Sequence, residues 1–427
     1  MPGCFSAWAI FRVTLPSAAS SHHRADAFYR RWQRLNDWLA QHREFWQPAP
    51  FADPSPAWTK NWPALADRVA RLSDSDCVQW DDDPVALAEW VAVELPSFRE
   101  FGELTDIQPL AIESADQNTL PEVRATDMPG RKRLQAGAFA SAIQPLKHSV
   151  LDWCCGKGHL ARTLAPLCGG DVTGFEWNAT LVDDGNLLAG KFGDAVTLQC
   201  QDVMAENLTM PPDAHGVALH ACGDLHRRLM RKVAGEGLPR VSVSPCCYHL
   251  KEALDYQPLS RRVRASKNGL ELTRNELRLA VRETVTAPKR VREQTRRISR
   301  WRLGFDGLQR QLRGVDAYLP VPSHPSRLTN GDFATFCRWA TGNRGLELPG
   351  DTDFGVWERY GERRRQEVRR HELVRHLFRR PLELWVVLDY SMFLEEQGYD
   401  VRLGTFCERQ LTPRNLLIDA EKRSVDC

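Results

Sequence analysis

Apolar positions recur at helical spacing through the first 130 residues. In AFYRRWQRLNDWLAQHREFW and DPVALAEWVAVEL the aliphatic and aromatic side chains fall three and four apart, which predicts amphipathic helices with one apolar face. The Pro-rich stretch QPAPFADPSPAW separates the first of these helices from the rest of the chain. RKRLQAGAFASAI predicts another helix, stopped at Pro145. From 149 to 250 the texture changes. Short apolar runs, SVLDWC, DVTGFEW, VTLQCQD, GVALHA and RVSVSPC, alternate with helix-like stretches, the pattern of βαβ units and a parallel sheet. Basic segments then interrupt the rhythm from 251 to about 370, among them RLAVRETV, KRVREQTRRISRWR and ERRRQEVRRHELVRHLFRR, and these are expected to be largely helical. The alternation resumes with the long helix PLELWVVLDYSMFLEEQG and two strand-like runs, YDVRLGTF and NLLIDAE, which would complete a seven-stranded sheet as a hairpin at one edge.

The expected class is therefore α/β, a Rossmann-like seven-stranded sheet with an α-helical N-terminal region and a basic helical insertion after strand five. The boundaries fall at 1–128 for the Trp-rich helical region, 129–250 for the ligand-binding core, 251–370 for the insertion, and 371–427 for the final helix and the C-terminal hairpin. No repeat of 20 to 50 residues is visible, which argues against a solenoid.

Composition narrows the class further. With 427 residues, 42% of them hydrophobic and 26% charged, the chain fits a globular protein and neither a disordered nor a collagen-like one. No run of about 18 apolar residues occurs, so no membrane span is expected. The N-terminal stretch MPGCFSAWAIFRVTLPSAAS lacks a basic n-region and is interrupted by Arg12, which reads as a ragged start rather than a signal sequence. Twelve cysteines include the adjacent pairs Cys154/Cys155 and Cys246/Cys247, a spacing ill suited to a disulfide framework, so a reducing cytoplasm is expected. The net charge of +2 conceals a polarity. Residues 1–130 hold 11 Lys and Arg against 19 Asp and Glu, whereas 251–313 hold 17 against 7 and 355–380 hold 9 against 4. Such a distribution could steer a polyanion to the basic part, or could be a solvated helical surface.

The chemistry concentrates at the first strand and turn, VLDWCCGKGHL. Ligands of an open α/β sheet bind beyond the carboxyl ends of its strands. Here an apolar strand carrying Asp152 runs into Gly156 and Gly158 and then a helix, whose first N–H groups face a carboxylate or phosphate. Glu176 closes the second strand, where it can accept hydrogen bonds from both ribose hydroxyls of a nucleoside, and Asp202 follows the third, within reach of an adenine amino group. Each acid alone reads as a turn former; three at successive strand ends read as a site. The dinucleotide fingerprint G-x-G-x-x-G is absent, because Gly158 is followed by His159, Leu160 and Ala161, and this argues against a dehydrogenase.

These residues resemble the first motif of the class I S-adenosylmethionine-dependent methyltransferases, Asp/Glu-x-Gly-x-Gly-x-Gly, at Asp152, Gly156 and Gly158; Cys154 stands where the first family glycine is usual. The strings DWCCGKGHL, LHACGDLH, SPCCYHL and LTPRNLLI look like the branch that includes the glutathione S-transferase C-terminal-domain-containing protein, several methyltransferase-like proteins and a eukaryotic tRNA ribose methyltransferase. The likeness spans about residues 130–420, with the basic insertion and the N-terminal region matched poorly. It implies S-adenosyl-L-methionine as cofactor. Asp152, Gly156, Gly158, Glu176 and Asp202 would surround it, Lys157 and Trp177 would flank it, and Cys154, Val203 and His220 complete the expected lining.

Methyl transfer asks the protein chiefly to hold a nucleophile in line with the sulfonium methyl group. Candidates lie at the ends of strands four and five, in LHACGDLH and SPCCYHL. Asp224, Tyr248 or His249 could orient or deprotonate a hydroxyl or amine acceptor. Cys246 could attack a pyrimidine ring with Cys222 assisting release. Several Cys and His could instead gather a metal, although the usual paired C-x-x-C is missing and no metal ligand is assigned. The plain alternative is that these cysteines are small packing residues and His220 a satisfied core histidine. RNA is the leading acceptor, held through the basic insertion with Trp301 stacking on a base. A protein or small-molecule acceptor, or a binding protein that keeps the cofactor fold without catalysis, are the competing readings.

Overall fold

A computed structural model describes residues 21–110, 118–283, 289–325, 328 and 331–424; the N-terminal stretch 1–20 lies outside them. Seven strands form one sheet in the order β3-β2-β1-β4-β5-β7-β6. They are β1 Ser149–Trp153, β2 Val172–Glu176, β3 Val196–Cys200, β4 Ala214–Cys222, β5 Arg240–Cys246, β6 Tyr399–Thr405 and β7 Leu416–Lys422. The first five run parallel. β7 is antiparallel to β5 and to β6, so the C-terminal hairpin lies at one edge, as its position in the sequence predicts. β1 sits between β2 and β4, and the chain reverses its direction of travel across the sheet there. That switch point opens a crevice at the carboxyl ends. The inner strands β1 and β5 are buried almost throughout because both faces are covered, whereas edge strand β3 buries only Leu198 fully.

The two faces are covered differently. Against one pack the helix Gly130–Ala142 and the short helix His159–Leu164, with Phe139, Ile143, Leu160 and Leu164 on Val150, Val172 and Val217. Against the other lies the helix Arg379–Glu396, and onto it folds the N-terminal helix Ser21–Gln41. The apolar face predicted for that first helix is the one buried: Trp32, Leu35, Trp38 and Leu39 are enclosed, with Trp32 against Trp385 at 5.5 Å between ring centroids and Trp38 against Phe378 at 5.0 Å. The Trp-rich region therefore shares one core with the sheet and the final helix.

The basic insertion is helical, as expected, but its arginines are not a free surface. Helices Lys289–Arg313 and Phe354–His376 pack together with glycines at the crossing; a Cβ on Gly361 would lie 2.3 Å from the carbonyl oxygen of Arg300. The acidic N-terminal region receives the second of these helices. Arg365 pairs with Asp74 at 3.0 Å, Arg370 and Arg375 each donate to a backbone carbonyl, of Leu72 and Trp46, at 2.7 Å, and Asp81 takes His376 at 3.0 Å and Arg379 at 3.1 Å. Charges far apart in sequence thus meet in space. The expectation that Trp301 stacks on a base is overturned: it is 2% exposed, packed near Phe336, and its indole N–H donates to Glu358. Its spacing on an amphipathic helix marks it as core. No helix among the described residues is long and apolar enough to cross a membrane.

Candidate functional site

Beyond Trp153 the chain turns through residues 154–158 into the helix His159–Leu164. Cys154, Gly156 and Gly158 all take left-handed backbone, with φ of 59°, 58° and 67°. Glycine adopts this freely; for Cys154 it costs about 1 to 3 kcal/mol. The turn at Cys154 is thus one that glycine favours, so the departure from the motif changes the side chain and leaves the path of the chain. A Cβ on Gly156 would meet nothing within 4 Å, which leaves that side of the turn open. One on Gly158 would strike Leu198 at 2.9 Å, and Leu198 equally fills the space over Gly174 and Gly185. Gly156 thus borders open space, and the other three glycines let an edge-strand leucine lock the turn.

The acids divide their tasks. Asp152 is buried within β1, and its Oδ2 accepts the Ala161 N–H at 3.0 Å, fixing the first turn of the helix. Burial, reinforced by the charge of Glu176 and opposed by that hydrogen bond, pushes its carboxyl up to about 7. Glu176 bridges two loops, accepting the Gly156 N–H on Oε2 and the Asn178 N–H on Oε1, each at 3.1 Å. A carboxylate has about four acceptor positions, so two remain for hydroxyl donors. Asp202 is exposed, two residues past the end of β3, where it accepts the Met204 N–H at 2.8 Å. The Cys154 thiol is pushed up to about 12, first by burial and then by the charges of Glu176, Asp152, Cys222 and Asp202. Trp177 is 75% exposed beside Glu176, and Val203 is buried beside Asp202. Lys157 is held by Asp127 at 3.2 Å and Asp184 at 2.9 Å. His220, also left-handed with φ of 64°, meets Gln135 at 3.3 Å and is pushed down to about 4 by burial, with Arg414 adding, so it is neutral at pH 7.

The ends of β4 and β5 form the neighbouring edge. A bulge between Leu219 and Cys222 breaks the register of the two strands and re-aims the last residues of β4. Gly223 comes next with φ of 56°; a Cβ there would lie 1.6 Å from the carbonyl oxygen of Leu250. Asp224 accepts the Glu252 N–H at 2.9 Å and lies 3.4 Å from Arg227, so it holds the loop after β5. Cys222 Sγ and Cys246 Sγ are 3.7 Å apart. Tyr248 faces inward, its hydroxyl within 3.2 Å of the Pro245 carbonyl and 3.1 Å of Glu383, and burial raises its pKa well above the usual phenol value. His249 is half-buried, its Nδ1 without a hydrogen-bond partner, and burial lowers its pKa. A cleft of about 190 Å³ adjoins this edge, lined by Trp80, Glu283, Glu383, Arg409 and Arg414 among others.

Sequence reasoning had no hold on several of these groups. Asn178 caps the helix Ala179–Phe192, its Oδ1 accepting the Thr180 N–H at 3.0 Å, and its signal, an Asn before an apolar helix, was visible in EWNAT. Gln135, Asp127 and Arg414 carry no local signal, because tertiary packing alone brings them to the edge.

The arrangement defines a doubly wound α/β domain with an acid-rimmed, glycine-opened cradle at its switch point. Residues 135–253 match the family model described as a methyltransferase domain. No curated protein matches the chain. Solved structures similar to it include the YcgJ protein of Bacillus subtilis, at 22% identity over 25% of this chain and 48% of that one, with a TM-score of 0.23. A tRNA (uracil-54, C5)-methyltransferase of Pyrococcus abyssi, in complex with S-adenosyl-L-homocysteine, is 17% identical over 27% of this chain and 29% of that one, again with a TM-score of 0.23. The RNA methyltransferase homologue PH1948 of Pyrococcus horikoshii, whose activity is assigned provisionally, is 18% identical over 29% and 65%, with the same TM-score. In each case the chain spans less than two thirds of the other's length.

Proposed function

We propose that the protein is an S-adenosylmethionine-dependent methyltransferase. The observation that carries this reading is the Glu176 carboxylate, tied to the Gly156 and Asn178 N–H groups at the switch point and flanked by an unfilled space at Gly156. Glu176 would take the ribose hydroxyls, Asp202 the adenine amino group, and Trp177 and Val203 the faces of the base. Asp152 acts one step back, holding the helix start through Ala161. Lys157, Cys154, Gly158 and His220 shape the wall. When bound, the cofactor supplies an electrophilic methyl group.

Of the groups on the acceptor edge, Asp224 and His249 are proposed to orient the acceptor, since both are only partly buried. Tyr248 and Cys246 are turned inward, which leaves them the lesser share of that role. RNA is the proposed acceptor class. Trp301 being buried, the support for RNA is the exposed positive charge of Arg290 and Arg292 on the helix Lys289–Arg313, Arg296 being met by Asp74 at 3.5 Å and Glu362 at 3.6 Å. Incubation with methyl-labelled cofactor and fractionated extract should place label in RNA; label in protein or metabolites instead would replace this acceptor.

Calorimetry tests the cofactor assignment. Glu176→Ala should weaken S-adenosylmethionine binding by about 10- to 100-fold, the loss of hydrogen bonds to a charged group worth about 1.5 to 3 kcal/mol. Unchanged affinity in a folded variant sinks the placement of the cradle.

A further inference from the structure

Three thiols converge at this edge, and the methyl-transfer reading gives only Cys246 a lesser part and leaves Cys222 and Cys247 without one. The sulfur atoms of Cys222, Cys246 and Cys247 all lie within 4.8 Å of one another, at the paired ends of β4 and β5. Two departures from regular backbone bring them there. Neighbouring residues of a strand point to opposite faces, so Cys246 and Cys247 should diverge. Cys247 instead takes φ of 49°, a left-handed conformation that costs a non-glycine residue about 1 to 3 kcal/mol, and its sulfur stays beside that of Cys246. Across the strand pair, the bulge after Leu219 re-aims Cys222 at the same point. The result is an open triangle of thiols, with no disulfide among them.

The spacing has a chemical meaning. A tetrahedral zinc ion bound at about 2.3 Å from each thiolate sets its sulfurs about 3.8 Å apart. Cys222 and Cys246 stand at 3.7 Å, so little movement would seat an ion. A disulfide between them would need about 2.05 Å, a much larger closure. Soft thiolates select zinc or monovalent copper over magnesium or calcium. We propose that Cys222, Cys246 and Cys247 form a binding site for a soft metal ion, zinc in the first instance, with three thiolate ligands and a fourth position left to water or another donor. Such an ion would tie the bulged end of β4 to the loop after β5. It lies at the ends of β4 and β5, one strand from the turn after β1.

The full chain, reduced and stripped of metal under anaerobic conditions, is titrated with cobalt(II) as a spectroscopic stand-in for zinc. One equivalent should bind with an intense sulfur-to-cobalt charge-transfer band, displaced on adding zinc, and zinc should shield Cys222, Cys246 and Cys247 from maleimide as mapped by peptide mass spectrometry. Cys246→Ser should lose most of the band, and Cys168→Ser, outside the cluster, should keep it. Binding without that band, or equal labelling of the three cysteines with and without zinc, overturns the proposal on the wild-type protein alone, whether or not a variant folds. S-adenosylmethionine binding measured on the same sample tells failure of this site from failure of the cofactor reading.

Discussion

The arginine-rich helical body and the carboxyl edge of the sheet treat their polar side chains in opposite ways. In the body the charges turned toward the N-terminal region are answered: Asp81 accepts from His376 and Arg379, and Arg365 bridges Asp74 and Glu362. At the sheet edge the backbone is left-handed at Cys154, His220 and Cys247, three thiols sit together, and a buried carboxyl has a single hydrogen bond. Residues held in sparsely populated backbone persist only where the surroundings over-determine them, and they gather at ligand sites. High charge density therefore marks architecture in this molecule, and three of the five left-handed non-glycine residues among the described ones lie at the edge proposed as the site.

The sharpest way to break that contrast is to remove an answered charge. Asp81→Ala should cost about 2 to 3 kcal/mol in denaturant unfolding, because Arg379 and the His376 ring lose their acceptor in a partly buried place. Burial alone would raise the Asp81 pKa, but the hydrogen bond from His376 and the charges of Arg379 and Arg369 outweigh it and hold the carboxyl well below its usual range. His376 itself is pushed down to about 4 by burial, so at neutral pH the charges Asp81 meets are those of the arginines. A loss below about 0.5 kcal/mol, the range of ordinary surface substitutions, would mean that the body is merely decorated with ion pairs.

The second test uses the opposite sign. A carboxyl with a lowered folded pKa, such as Asp81, stabilises the protein above its unfolded pKa and loses that effect as pH falls. Asp152, raised from 3.8 to about 7, contributes stability that is present at low pH and is lost as pH rises from about 4 through 7. The melting temperature should therefore decline between about pH 5 and 8 more steeply in wild type than in Asp152→Asn, which keeps an acceptor for Ala161. Parallel pH profiles would show that Asp152 is not held in its neutral form.

The smallest effect is expected on the body's outer face. Replacing Arg290 and Arg292 together should change stability by under about 1 kcal/mol while lowering RNA retention in filter binding and flattening its salt dependence. Undiminished retention would separate the basic insertion from nucleic-acid binding, leaving it a scaffold on which the acidic N-terminal region docks.

Much of this was legible beforehand. The five parallel strands and the C-terminal hairpin are written in short apolar runs, and Asp152, Glu176 and Asp202 stand out by their places at strand ends. The fate of the arginines was not legible. Their number left a polyanion partner and a solvated helical surface both open, whereas Arg365, Arg370 and Arg375 find partners near residues 46–74, some 290 to 330 positions away. Trp301 was misread for the same reason: an aromatic ring among arginines looks alike in a sequence whether it faces solvent or Phe336.

The chain by itself determined periodicity, and hence which segments are strands, which are helices and which turn must open at Gly156, because side-chain spacing and glycine conformational freedom are local properties. Tertiary structure alone decided which charges cancel and which thiols meet. Those outcomes depend on distances between segments brought together only when the two faces of the sheet are covered.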